Sequence, residues 1–335
     1  MPLGTATRAP SALAHVPADP TLAWEHSLGR AASGPPVYGN AVIVALAMDR
    51  YLTVLDAETG RRVWRKRLST PGAGGPLFDG ERVYAATSGH LGRVYGYDLR
   101  GHRLWQQKIP NVSAPLALVG DHVIVPTETG EVLSLRATTG DLLWKRRLPQ
   151  PARSGAAPAA DSSVLIATDD SLFRLRAADG AIEAQVGLPG TMLAPAAIDG
   201  DTLVVTTGRG EVLALQARTL DPLWSVATGA AIFGGAAIAR DTVFTATVHG
   251  DVWSIPLRDP ASARHTSLNV PIRAPVSPTL DGVLIGTVAG EIVLVGAGGP
   301  RTIVDSLAGP IEQLVLVQDG RMITIDGDGR MQAWR

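Results

Sequence analysis

The 335-residue chain contains no cysteine. That absence excludes disulfides, thiolate nucleophiles, zinc–thiolate sites, iron–sulfur clusters and any lipid carried on a cysteine of this chain. There is no run of about 18 apolar residues, so no segment reads as a membrane-spanning helix. A surplus of positive charge is missing as well. Thirty Lys and Arg stand against 31 Asp and Glu, a net charge of −1, which argues against a nucleic-acid partner. Helical patterning is also absent, with no long capped stretch of period 3.6. What is plentiful is turn chemistry: 37 Gly and 24 Pro in a chain that is 45% apolar and 18% charged. That balance is globular and requires many short turns. The first twenty residues, MPLGTATRAPSALAHVPADP, lack a charged-then-apolar signal pattern. They read as a disordered leader or linker (1–20) ahead of a single domain (21–335).

A repeat organises the remainder. The segment GEVLSL (130–135) returns as DRYLTVL (49–55), GRVYGY (92–97), DSLFRL (170–175), GEVLAL (210–215), GDVWSI (250–255), GEIVLV (290–295) and GRMQAW (329–334). Eight units therefore follow one another at a spacing near forty residues. Each has a Gly/Pro-rich opening, a short apolar run, a polar turn, an alternating run such as TLVVTT, the quoted segment, and a turn leading to a tryptophan run such as LLWKRRL. Alternating β-branched runs bounded by Gly, Asp and Asn turns predict antiparallel strands. Four strands per forty residues predict one propeller blade each. The eighth unit ends at Arg335, after its third strand, whereas LAWEHSL (22–28) looks like a fourth strand without a blade. The expected fold is an all-β, eight-bladed propeller of four-stranded antiparallel blades. Its N-terminal strand completes the C-terminal blade, which pairs two otherwise open edges.

LDAETGRRVW (55–64), LRATTGDLLW (135–144) and YDLRGHRLW (97–105) resemble the repeat of PQQ-type eight-bladed propellers with its tryptophan docking motif. Units six and seven depart from it, with His265 and Val304 near the tryptophan position. The resemblance implies that Trp24, Trp64, Trp105, Trp144 and Trp224 dock between blades. Within the family, quinoprotein dehydrogenases carry a vicinal cysteine disulfide and a calcium at their cofactor, and this chain has no cysteine. The BamB-like group of compact, non-catalytic outer-membrane assembly scaffolds fits the length better. Its members are typically anchored through an N-terminal cysteine, from which this chain departs.

No catalytic constellation is visible, and no cofactor or metal is expected. The seven histidines show no zinc-type spacing, and DGDGR (326–330) stands where other units have a hairpin turn. What remains is a scaffold with loop faces. The turns between second and third strands share a face with the blade-to-blade connections, which places Arg50, His90, Arg209 and His249 with Arg153, Met192, Phe233 and Arg273 as candidates for binding a protein partner. WRKRL (64–68) and WKRRL (144–148) read as edge protection of outer strands in preference to a nucleic-acid or anionic-lipid site. The expected role is a non-enzymatic interaction scaffold, periplasmic or outer-membrane-associated and held at a membrane, if at all, through a partner. The alternatives are a quinone- or small-ligand-binding propeller acting as enzyme or sensor, and a cytoplasmic subunit docking on another complex.

Overall fold

Each repeat closes into one four-stranded antiparallel sheet, eight in all, and the fold is an eight-bladed β-propeller. The computed structural model describes residues 14–335 apart from 113, 153, 160, 297, 306 and 318. Two compact units are distinguishable among the described residues, one spanning His26–Gly187 and the other joining residues 14–25 with Leu188–Arg335.

The first unit holds four blades. Blade 1 comprises Val37–Gly39, Val42–Leu46, Tyr51–Asp56 and Arg62–Arg67. Blade 2 comprises Gly72–Phe78, Arg82–Thr87, Arg93–Asp98 and Arg103–Lys108. Blade 3 runs from Ala117–Val119 to Leu142–Arg147, and blade 4 from Ser154–Pro158 to Ile182–Gly187. In the second unit, blade 5 runs from Ala197–Asp199 to Pro222–Ala227, blade 6 from Ala236–Ala239 to Arg264–Ser267, and blade 7 from Ser277–Pro278 to Gly299–Val304. Blade 8 takes Ile311–Leu316, Met322–Asp326 and Arg330–Trp334 from the C-terminus. Its outer strand is Leu22–Ser27, paired to Arg330–Trp334 as expected. Thr21 and Arg335 exchange backbone hydrogen bonds of 2.8 and 3.0 Å beside it. The one helical turn among the described residues is Pro260–Ser262, which replaces the usual hairpin of blade 6.

Within the stretch expected as a leader (1–20), residues from Ala14 onward make contacts with the second unit. Val16 N–H donates to Asp281 (2.9 Å), His15 lies 2.9 Å from the same carboxylate, and Leu280 N–H donates to the Ala14 carbonyl. Ala14 and Val16 also pack on the apolar cluster of blades 7 and 8. The Asp281 carboxyl is held below its usual range, first by the Val16 N–H and then by His15.

Tryptophan docking has a geometry that the repeat alone did not reveal. The indole N–H of four outer-strand Trp residues donates to a hairpin carbonyl of the following blade: Trp64 to Leu99 (2.9 Å), Trp105 to Ala137 (2.9 Å), Trp144 to Ala177 (2.6 Å) and Trp224 to Leu257 (3.0 Å). In blades 2, 3 and 4 a hairpin glycine serves that contact. The Gly140 N–H bonds back four residues to Arg136, with φ at +77°. A β-carbon there would lie 2.6 Å from the Trp105 ring, and the same holds at Gly180 against Trp144 at 2.7 Å. The turn therefore needs glycine twice, for its left-handed backbone and for the ring beside it. Gly120 shares only the first demand, with φ +58° and nothing within 4 Å of a β-carbon. Gly120→Ala should cost about 1–2 kcal/mol from backbone strain alone. Gly140→Ala should add about 1–3 kcal/mol of overpacking. Equal shifts of the two urea midpoints would remove the ring contact as a cause.

Blade 4 lacks the tryptophan and solves the volume problem from the opposite strand. Across the ladder, Trp64, Trp105, Trp144 and Trp224 face Val54, Gly96, Ser134 and Ala214, whereas Ala184 faces Arg174. Small and large residues have exchanged strands, as close packing demands. Arg174 is buried, and its guanidinium meets Asp161, Glu183 and the Ser163 hydroxyl, so the charge is partnered. In blades 6 and 7 the same rung is filled by Arg264, opposite Ser254, and Arg301, opposite Leu294. His265 and Val304 sit on other rungs, with His265 stacked 4.7 Å from Trp253.

Candidate interaction surface

Antiparallel order puts each turn between second and third strands beside the segment that enters the same blade, and hydrogen bonds lock the two together. Met48 N–H donates to Ala31, Ser88 to Pro71, Glu128 to Asn111, Gly208 to Thr191, Val248 to Ala231 and Val288 to Pro271, all between 2.8 and 3.0 Å. In these six blades the loops are thus tied into a platform, as suits a binding surface.

Among the candidates in the first unit, Arg50 (φ +76°) and His90 are exposed on the turns of blades 1 and 2. Arg153 lies outside the described residues. In the second unit Arg209 and His249 are exposed on the turns of blades 5 and 6, and Phe233 and Arg273 are exposed on the segments entering blades 6 and 7. Met192 is a correction: it is 1% exposed and bridges Thr207. Alternation along extended backbone explains this. Met192, Ile232 and Ile272 stand at one repeat position, and all three are buried. The next residue points outward, so Leu193, 42% exposed, aligns with Phe233, 47% exposed, and Arg273. Leu193 went unnoticed in the sequence, although a forty-residue offset from Phe233 would have found it.

Close backbone contacts bring these positions together. A β-carbon on Gly235 would lie 2.8 Å from the Ala194 methyl, and one on Gly234 would collide with the Ala274 carbonyl. Leu193, Phe233 and Arg273, each adjacent to one of these residues, therefore line three consecutive blade entrances. Leu193 also lies over Gly208, beside Arg209. Neither Arg209 nor Arg273 forms an ion pair among the described residues. The result is an exposed apolar pair flanked by two unpaired guanidiniums, a composition typical of interface anchors.

The DGDGR segment is a hairpin turn, as expected. Asp326 is buried and accepts the N–H groups of Asp328 (3.0 Å) and Arg330 (2.8 Å). No group of three His, Asp or Glu side chains among the described residues is placed to share a metal ion. No described helix is long and apolar enough to cross a membrane.

Eight four-stranded blades and tryptophans docked onto the following hairpin define a PQQ-type propeller. The chain belongs to the family described as outer membrane protein assembly factor BamB, whose model matches residues 11–167 and 168–311. Among curated relatives, BamB of Nitrosomonas eutropha is 31% identical over 117 residues, which are 35% of this chain and 28% of that protein. BamB of Burkholderia pseudomallei is 27% identical over 254 residues, covering 69% of this chain and 64% of that one. The matches thus span less than two thirds of either relative's length. Among solved structures, BamB from Moraxella catarrhalis superposes with a TM-score of 0.78 at 18% identity, covering 94% of this chain and 97% of that one. The designed protein Ika8 gives 0.79 at 15% identity over 92% and 97% of the two chains. The WD40 domain of Sif2 gives 0.77 at 12%, over 96% and 99%. A BamB, a designed protein and a WD40 domain share one architecture, so these likenesses speak for the fold alone.

Proposed function

We propose that this chain is a non-catalytic scaffold of outer-membrane protein assembly, working in the periplasm and holding a protein partner of the assembly machinery on the loop platform of its second unit. Family membership supports the class of role. The observation that carries the docking site is the exposed Leu193–Phe233 pair flanked by the unpaired Arg209 and Arg273. Apolar anchors rimmed by arginine suit an interface of roughly 800 Å² per partner, and the free guanidiniums select a partner with acidic groups around an apolar centre.

The test is a pull-down from envelope extract in which subunits of the assembly machinery are quantified. Phe233→Asp, or Arg209→Glu with Arg273→Glu, should lower recovery about tenfold or more, as for loss of a hot spot. These positions are exposed, so melting temperatures should stay within about 2 °C. Unchanged recovery with both variants would remove this platform as the docking site. Stoichiometric PQQ binding with substrate-dependent dye reduction by the purified protein would overturn the non-catalytic reading.

A further inference from the structure

The outer strands of blades 1, 2 and 3 read RVWRKR, RLWQQK and LLWKRR, with nine Lys or Arg and no Asp or Glu. The outer strands of blades 4 and 5, IEAQVG and PLWSVA, have no Lys or Arg. All five are edge strands of their sheets. Edge protection explains charge on an open edge, but not why cations of one sign gather on three consecutive blades of a chain whose net charge is −1.

Most of these cations lack an acidic partner among the described residues, and two of them reach the next blade. Lys66 of blade 1 packs its Cε against the hairpin of blade 2, 3.2 Å from the β-carbon position of Gly101, and Arg146 of blade 3 donates to the Gly180 carbonyl of blade 4 at 2.8 Å. Arg65 pairs with Asp49, and Glu131 takes Lys145 and Arg147. Arg62, Lys66, Arg67, Arg103 and Lys108 have no acidic partner among the described residues. Their field reaches His26, whose ring is held below its ordinary range by burial first and then by Arg62. Beside the cations one aliphatic side chain per blade faces water at the start of the outer strand: Val63, Leu104 and Leu142, each about half exposed.

We propose that this strip, on the outer edges of blades 1 to 3, docks onto the surface of an anionic phospholipid bilayer. Cations interleaved with exposed aliphatics supply electrostatic attraction and shallow insertion together, and need no pocket. Single-stranded nucleic acid would call for exposed stacking rings, yet Trp64 and Trp105 are buried and turned into the next blade. A protein partner would favour aromatic anchors seated in a pocket and few lysines.

The experiment uses the full chain and vesicles of phosphatidylglycerol and phosphatidylcholine in equal parts, with pure phosphatidylcholine as comparison. Co-sedimentation is expected with the anionic vesicles only, and it should fall as salt rises to about 0.5 M. Replacing Arg62, Lys66, Arg67, Arg103 and Lys108 together by Glu should weaken binding by at least about 100-fold, since each cation near an anionic surface contributes on the order of a fivefold factor. A five-site Gln variant gives the same reading should the Glu variant fail to fold. Phe233→Asp should bind vesicles as the unaltered chain does, which separates this strip from the protein-docking platform. Equal binding to neutral vesicles would overturn the proposal. So would unaltered binding by the substituted strip, or retention of duplex DNA or polyglutamate with no vesicle binding at the same salt.

Discussion

A chain lacking residues 1–29 should lose most of its stability, whereas one lacking 1–13 should melt where the full chain does. The longer deletion removes the outer strand of blade 8 with Trp24, 8% exposed, and Leu28, 1% exposed. Deleting one buried tryptophan and one buried leucine costs about 5 kcal/mol or more by analogy with truncation to alanine. That is comparable to the whole stability of many domains. It also uncovers the edge of Arg330–Trp334 and its unpaired backbone groups. The melting temperature should fall by about 10 °C or more, or the chain should aggregate. A deletion of 1–20 should fall between the two, losing the contacts of Ala14, His15 and Val16 with the Asp281 turn but keeping the strand. A synthetic peptide of residues 14–29 should restore the melting temperature of the longest deletion in a concentration-dependent way, as ligand binding to the native state requires. Equal melting of the 1–13 and 1–29 deletions, measured by circular dichroism, would defeat the split-blade closure.

That closure was legible because a missing strand at one end of the chain matched a surplus strand at the other. The blade count, strand grammar and docking tryptophans were legible for a related reason: each is repeated, and repetition averages out local noise. Features that arise once were not. Residues 14–20 carry no strand pattern, and their anchors, the Asp281 carboxylate, the Leu280 N–H and Arg301, lie more than 260 positions away in sequence. The candidate surface was legible as loops but not as side chains. Met192 and Leu193 are adjacent apolar residues, and only the pleat decides which faces water. Ala184 where other blades have Trp shows, in the sequence, only a loss. It is compensated across the ladder by Arg174, a pairing that requires the register to be known. The basic clusters were visible on two outer strands, but Arg103 and Lys108 joined them only once blades 1 to 3 were seen to be consecutive.

Trp105→Ala should be the most damaging single substitution. The indole is 7% exposed. It occupies a slot with glycine on either side: a β-carbon on Gly96 of its own sheet would lie 2.5 Å from the ring, and one on Gly140 of the next blade 2.6 Å. Tyr84 closes a third side, with ring centroids 5.9 Å apart. Walls without side chains cannot collapse into the space left behind, so the loss should lie at the upper end of the usual range, about 4–5 kcal/mol. The Ala137 carbonyl also loses its indole donor. Trp105→Phe keeps an aromatic ring and removes that donor, and should cost about 1–3 kcal/mol. A double-mutant cycle then isolates the docking contact. The overpacking of Gly140→Ala exists only while the Trp105 ring is present, so Trp105→Ala with Gly140→Ala should be less destabilised than the sum of the single changes, by about 1–3 kcal/mol. The backbone cost of alanine at φ +77° should persist in both backgrounds. Strict additivity in urea unfolding would mean that the glycine is required by its turn alone, and that the ring stacks on it without constraining it.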